Sequence, residues 1–152
     1  MLRRVTEGDI PWLHQLCAAA YPSGYYDPVA SEAWVRALMR APNVFLMRGE
    51  RAWLNAEVSP LPWQPTIKVA RLLPVASQGR GMIELVKLTE AAIDWAREKG
   101  ASKFYFAAVT GTDLGPLARR FGAVPVSPSY VLDLECATSQ ASVTSARPSR
   151  MP

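Results

Sequence analysis

Cysteine and histidine are scarce in this sequence. Of 152 residues, only two are cysteines and one is a histidine. Cys17 and Cys136 stand far apart and outside any metal-binding spacing, so we interpret both as free thiols and expect neither a disulfide framework nor a metal site. His14 has no Cys, Ser or Asp at motif spacing, and we interpret it as a helical residue without a catalytic role.

Long apolar runs and strong charge are also missing. No apolar run approaches the roughly 20 residues that a membrane helix needs, and the first residues lack a signal-peptide pattern, so we expect an intracellular protein without a membrane span. The 17 basic and 13 acidic residues give a net charge of +4, which permits an acidic partner without demonstrating one. Nucleic-acid binding is disfavoured because no run of Lys and Arg is interleaved with aromatics.

The most informative stretch is residues 66–108, which have the pattern of a strand, a turn, a helix and a second strand. Residues 66–75 are rich in β-branched and aliphatic side chains and run into a glycine-containing turn. From Met82 the apolar residues recur at helical spacing, and Gly100 supplies a C-terminal stop. Residues 103–108 form the second strand, which a crossover of this length places parallel to the first.

The remaining segments predict a single α/β domain with a mixed sheet over residues 1–134. Asp9 is the candidate N-cap of a first helix, and Asp27 opens a second one. Residues 59–65 carry three prolines, and we expect them to interrupt regular structure. The predicted order is β-α-α-β-β-β-α-β-α-β-β. Besides the segments already named, we predict strands at residues 1–5, 43–48, 52–58, 123–126 and 130–134 and a helix at residues 114–121.

The C-terminal segment, residues 135–152, changes to Ser, Thr, Ala, Pro and Arg with almost nothing to bury. Such a tail cannot repay its ordering entropy alone. We predict that it lies extended on a neighbouring protein chain, with Arg147 and Arg150 near acidic or backbone acceptors and Met151 in an apolar notch.

The element order, the opening LRRVTEGD and the turn QGRGMI at residues 78–83 resemble those of the GNAT superfamily of N-acyltransferases. The resemblance covers residues 1–134. It implies a mixed sheet that splays between its fourth and fifth strands. It also implies that acetyl-CoA lies in the splay, with its pyrophosphate on backbone amides at the start of the following helix, where free N–H groups and the helix dipole favour a phosphate.

The turn departs from the family pattern, which is Gln or Arg, two residues, Gly, one residue, then Gly or Ala. Gln78 and Gly81 match, but Ile83 holds the last position, where its branched side chain would crowd the phosphate. Pro74 lacks an amide near the exit of the fourth strand, whereas Arg80 can still attract an anion. The glycines alternatively form only a tight turn. The cofactor-binding residues implied by the resemblance are Leu73, Gln78, Gly79, Arg80 and Gly81.

Family members often use a Glu on or near the fourth strand as general base and a Tyr in the last helix as general acid. The fourth strand here offers Lys68 and Arg71, and Ala118 stands at the tyrosine position. We nominate Glu57, on the neighbouring strand, as a substitute base. The aromatic turn after the first helix either lines the acceptor side of the site or packs at its rim, through Tyr21, Tyr25 and Tyr26.

Two functions follow from these departures. The first is a degenerate, non-catalytic member of the fold that needs no cofactor and binds protein partners through its tail within a larger assembly. Such a protein is similar to the small internal or accessory virion proteins of short-tailed bacteriophages and would lie in the host cytoplasm or the virion. The alternative is an active N-acetyltransferase that moves an acetyl group from acetyl-CoA to an amine.

Overall fold

The computed structural model describes residues 1–21, 26–107 and 113–126. Two short 3₁₀ turns, Glu7–Asp9 and Gly79–Gly81, precede α1 and α3. The helices and strands are β1 (Arg3–Arg4), α1 (Ile10–Ala20), α2 (Pro28–Arg40), β2 (Val44–Arg48), β3 (Ala52–Leu61), β4 (Gln64–Ser77), α3 (Met82–Glu98), β5 (Ala101–Phe106) and α4 (Gly115–Arg120).

The five strands form one mixed sheet in the order β1-β2-β3-β4-β5. Neighbouring strands are antiparallel from β1 to β4, whereas β4 and β5 are parallel. The α/β class with a mixed sheet is therefore confirmed, and so is the parallel pair that the crossover length predicted. Gly100 follows α3 with φ +79°, the left-handed conformation that ends a helix.

Each face of the sheet is covered by a different helical layer. Trp53 on β3 packs with Leu13 and Leu16 of α1 and with Val35 of α2. Leu54, the next residue, belongs to the opposite core, where Leu72 of β4, Leu85 and Leu88 of α3 and Leu117 of α4 meet. Successive side chains of a strand point to opposite faces, so odd-numbered residues of β3 face α1 and α2, and even-numbered residues face α3.

Asp9 fastens the start of α1 to the sheet. Its carboxylate accepts hydrogen bonds from the Arg3 guanidinium (2.7 Å), the Thr6 backbone N–H (2.9 Å) and Nη1 of Arg48 on β2 (2.8 Å). The guanidinium of Arg48 also lies 3.4 Å from the Trp12 ring centroid. The Arg3 hydrogen bonds, with those from Thr6, hold the pKa of the Asp9 carboxyl well below its usual value. Asp9 therefore occupies the N-cap position of α1, as predicted, but its side chain caps no N–H group of that helix and is the centre of an ion-pair network.

The proline-rich segment forms a hairpin, so the predicted interruption at residues 59–65 is wrong. β3 continues to Leu61, β4 begins at Gln64, and Pro60 pairs with Lys68. The Val58 N–H donates to Asn43 O at 3.0 Å, on the β2 side of β3. Main-chain groups two residues apart in a strand point to the same side, so the nitrogen of Pro60 also faces the β2 side. Because β2 pairs with β3 only as far as Glu57, no partner strand remains there and the missing N–H costs no ladder bond.

Two other predictions at the ends of the chain change. β1 is shorter than residues 1–5, and residues 123–126 are irregular where a strand was predicted. The predicted strand at residues 130–134 and the tail at 135–152 lie outside the described residues. Residues 1–122 form one compact unit, and the boundary at residue 134 stays a prediction. Within the described part of the chain, no helix has both the length and the apolar character needed to cross a membrane.

Candidate functional site

The pairing between β4 and β5 ends next to a bulge in β4. The two strands pair from Lys68 and Ala101 as far as Leu72 and Phe106, and β4 then continues alone to Ser77. At this point the β3 partners change register: Leu54 pairs with Val75 but Ala56 pairs with Leu72, so Leu73 and Pro74 together lie opposite Asn55. A bulge bends its strand and increases the local twist. The pairing thus ends at the place where the resemblance predicts a splay between the fourth and fifth strands, and we call this place the splay.

Beyond Leu72, the side of β4 that faces away from β3 has no partner strand among the described residues, and it presents main-chain hydrogen-bonding groups to the splay. The Gln78 N–H donates to Arg51 O at 2.9 Å, so Gln78 and Ala76 direct their polar groups toward β3. By the alternation of a strand, Val75 and Ser77 direct theirs to the side that β5 has left. An extended ligand can hydrogen-bond to such an edge as another strand would.

Tyr21 reaches this edge from the end of α1. Its hydroxyl donates to Val75 O at 3.1 Å, and burial raises the pKa of Tyr21 above its usual value of 10. The hydroxyl is therefore a neutral donor at physiological pH. Of the three tyrosines predicted on the acceptor side, Tyr21 lies at the splay. Tyr26 packs against His14 with ring centroids 5.9 Å apart, and its place on the acceptor side stays a prediction. Tyr25 lies outside the described residues.

The turn that joins β4 to α3 is held against the β2–β3 hairpin. Gly81 N–H donates to Gln78 O at 2.9 Å, and a Cβ added at Gly81 would lie 2.5 Å from Arg51 O. Gly79 has φ +55°, which a side chain would strain. The geometry of the turn therefore explains why glycine stands at both positions, as expected if the glycines only form a tight turn. The anion-binding role of Gln78, Gly79, Arg80 and Gly81 stays a prediction.

The N-terminus of α3 lies directly after this turn. The first N–H groups of a helix have no partner within it, and Arg80 is exposed beside them. The Glu84 carboxylate, the acidic group of the first turn, is directed to the hairpin, where it accepts a 2.7 Å hydrogen bond from Arg51 N–H. Ile83 is 66% exposed. That its side chain crowds a phosphate stays a prediction.

A row of three polar side chains crosses the sheet just before the splay. Glu57 on β3 pairs with Arg71 on β4, and Arg71 pairs with Tyr105 on β5. Directly paired residues share a face, and Glu57 is in phase with Trp53, so the row lies on the face that α1 and α2 cover. Glu57 and Tyr105 are half-buried and Arg71 is exposed. We call this set the polar row.

Asn55 adds hydrogen-bonding capacity beside the polar row. It lies two residues before Glu57 on the same face of β3, opposite the bulge, and is completely buried. Neither polar atom of its amide has a hydrogen-bond partner among the described residues. Buried polar groups are nearly always bonded to protein or water, so this position is suited to hold a water molecule or a polar ligand.

The sequence predicted only some of the residues in this arrangement. Glu57, Leu73 and Tyr21 were predicted, and they lie near the bulge and the splay on three different elements. Asn55 and Tyr105 were not predicted, because the sequence shows their positions in strands but not which residues lie beside them. The predicted partner residues Arg147, Arg150 and Met151 lie outside the described residues.

Two further predictions concern the cysteines and metal binding. Cys136 lies outside the described residues. Cys17 is buried in the core between α1 and the sheet, and burial raises the pKa of its thiol to about 11, in agreement with a structural thiol. Among the described residues, no group of three or more His, Cys, Asp or Glu side chains is placed to hold a metal ion.

Solved acetyltransferases share this architecture. A putative acetyltransferase from Agrobacterium tumefaciens superposes with a TM-score of 0.72 at 17% identity, covering 88% of this chain and 99% of that one. The aminoglycoside 6'-N-acetyltransferase AAC(6')-IG from Acinetobacter haemolyticus gives 0.69 at 12% identity, with 88% and 97% covered. The aminoglycoside N-acetyltransferase AAC(6')-Iy, solved with CoA, gives 0.66 at 13% identity, with 90% and 95% covered.

The chain therefore has the GNAT fold that these solved structures share. No family model matches its sequence, and no curated protein matches it by sequence. Identities of this size establish a shared fold and not a shared activity. The degenerate, virion-like role receives no support from these comparisons, and the tail on which it depends lies outside the described residues.

Proposed function

We propose that the protein is an N-acetyltransferase that moves the acetyl group of acetyl-CoA to an amine. The observation that carries the proposal is that three features follow one another along one strand. They are the bulge at Leu73 and Pro74, the main-chain edge of Val75 and Ser77 that no described strand pairs with, and the turn into the N-terminus of α3. Together they offer a path for an extended ligand that ends in a phosphate group. The solved acetyltransferases with this fold support the same function.

The residues present fit acetyl-CoA. The edge formed by Val75 and Ser77 would hydrogen-bond the amides of its pantetheine arm, with Leu73 at the end next to the thioester. A carbonyl oxygen can accept two hydrogen bonds, so the Tyr21 contact to Val75 O leaves one acceptor position. The turn and the first amides of α3 would hold the pyrophosphate, with charge support from Arg80.

The bound thioester supplies an activated acetyl group, and the chain must deliver a neutral amine to it. Glu57 stands next to the splay, on the sheet face that α1 and α2 cover, and is the only carboxylate of the polar row. We assign it the role of general base, acting directly or through a water that the Asn55 amide is placed to bind. Removing a general base typically lowers the rate about 10²-fold to 10⁴-fold, so Glu57→Gln should lower kcat by that amount and leave acetyl-CoA affinity unchanged.

Calorimetry with acetyl-CoA tests the binding site. We expect the wild-type protein to bind, Arg80→Ala to bind more weakly, and Arg97→Ala to bind like the wild type. Arg97 is a matched control because it is an exposed arginine in the last turn of α3, paired with Asp94 at 2.7 Å, far along the helix from the turn. The absence of any binding heat with the wild-type protein would contradict the acetyltransferase function.

A further inference from the structure

Glu57 and Arg71 carry opposite charges at directly opposed positions of two antiparallel strands. Cross-strand neighbours of this kind are close enough to form an ion pair. Neither side chain forms a hydrogen bond or an ion pair with another residue that the structure describes, whereas the side chains of Asp9, Glu7 and Asp94 each pair with an arginine. Both charges of the polar row are therefore available to a ligand.

We propose that this pair recognises an acceptor that is itself zwitterionic: a free amino acid or another small amine that carries a carboxylate. The inference rests on the proposed acetyltransferase function and names the class of its acceptor. The ammonium group would lie on Glu57, which the preceding section assigns as the base. The carboxylate would lie on Arg71, whose planar guanidinium binds a carboxylate through two parallel hydrogen bonds.

The charges around the polar row disfavour a polycationic acceptor. Lys103 lies on the same face of β5 as Tyr105, two residues before it, and pairs with Val69 of β4. Lys103 and Arg71 are both exposed, so this face presents two cations next to the single carboxylate of Glu57. An aminoglycoside carries several ammonium groups, and both cations would repel it. An acceptor with one ammonium and one carboxylate has no net charge, and its carboxylate would be attracted to the same cations.

The neutral neighbours of the pair suit a small acceptor. Tyr105 stands next to Arg71 on the other side, and its hydroxyl can donate to the same carboxylate. The buried Asn55 amide lies on the Glu57 side, close to the bulge. The acceptor amine would thus be held between Glu57 and the splay, with its carboxylate turned away from the thioester.

The test compares each standard L-amino acid with its primary amide, which has the same size but no carboxylate. Binding is measured by thermal shift in the presence of CoA, and acetyl transfer is measured by the release of free CoA thiol. We expect at least one amino acid to be bound and acetylated, and its amide to be a poorer acceptor. Arg71→Gln should raise KM for that amino acid about 10-fold to 100-fold, the range of one charge-assisted hydrogen bond, and leave the amide unchanged.

Two further variants separate charge from geometry. Arg71→Lys keeps the charge but loses the paired hydrogen bonds, so it should lie between the wild type and Arg71→Gln. Lys68→Gln removes a positive charge from the same strand but from the opposite face, where Lys68 pairs with Pro60, and should leave the preference for the acid unchanged. Arg71 is exposed, and matching melting temperatures will show that the variants are folded.

The outcomes distinguish this inference from the proposed function. Equal use of acids and amides, a preference for the polycation kanamycin, or an equal effect of Arg71→Gln on acids and amides would overturn the zwitterion inference and leave the acetyltransferase function standing. The inference also fails if no amino acid is bound in the presence of CoA. A protein that binds no acetyl-CoA overturns both.

Discussion

Replacement of Asp9 by Asn tests how α1, and with it Tyr21, is held on the sheet. The Asp9 carboxylate is the common partner of Arg3, Thr6 and Arg48. An Asn side chain keeps the shape but loses the charge, and its amide nitrogen cannot accept a hydrogen bond. The substitution therefore leaves Arg48 without its carboxylate partner.

The magnitude follows from the burial of Arg48. Its side chain is only 12% exposed and that of Asp9 only 6%. Water therefore has little access to the Arg48 guanidinium and cannot replace the hydrogen bond that the Asp9 carboxylate accepted. Removing one partner of a buried ion pair costs about 3 to 5 kcal/mol. Because Asn still accepts one hydrogen bond and the Trp12 ring still faces Arg48, we expect Asp9→Asn to lower the free energy of unfolding by about 2 to 4 kcal/mol.

The pH dependence of stability has a definite sign. The pKa of Asp9 is lower in the folded protein than its ordinary value of 3.8, so its contribution is fully present above that value and is lost as the pH falls below it. Asp9→Asn removes this contribution, and the acid side of its stability curve should be flatter than that of the wild type.

Urea denaturation followed by circular dichroism between pH 2.5 and 7 measures both effects. Glu7→Gln is the matched control, since Glu7 also pairs with an arginine, Arg36 at 2.9 Å, but its side chain is 60% exposed. The control should change the free energy of unfolding by less than about 1 kcal/mol. If Asp9→Asn is no more destabilising than Glu7→Gln at pH 7, the network does not fasten α1 as argued.

Three further changes test other parts of the structure. Gly81→Ala should lower the free energy of unfolding by about 1 to 3 kcal/mol, because its Cβ would meet Arg51 O at 2.5 Å; wild-type stability in urea would contradict the close approach. Ile83→Gly should tighten acetyl-CoA binding by calorimetry if the branched side chain crowds the phosphate; weaker binding would refute that explanation. In a Cys136→Ser variant, the buried Cys17 thiol, with its pKa raised to about 11, should react with a thiol reagent at pH 8 only in urea, whereas rapid labelling of the native protein would show that it is accessible.

Local sequence patterns determine the helices of this protein. The apolar residues of α3 recur at helical spacing because one side of that helix packs on the sheet, and Gly100 ends it because the chain there needs a positive φ. Asp27 starts α2 by accepting hydrogen bonds from Val29 and Ala30 N–H at 2.9 and 3.1 Å. Each of these signals involves residues only a few positions apart, so the sequence alone shows them.

The proline-rich hairpin shows where local patterns fail. Pro60 is compatible with β3 only because β2 has already ended beside it, and the extent of one strand cannot be inferred from the residues of another. Propensity at residues 59–65 therefore predicted a break, whereas pairing between β3 and β4 extended both strands.

The candidate site was decided almost entirely by the tertiary structure. Glu57, Arg71 and Tyr105 are separated by 14 and 34 residues in the sequence, and only the registers of two strand pairs place them in one row. The bulge depends on the same information, since Leu73 and Pro74 form one only because both lie opposite Asn55. The sequence by itself determined that strands and helices alternate and that β4 leads through a glycine turn into α3. Which side chains meet at the splay was determined by strand register, because register is set by the packing of whole sheet faces and not by any short segment.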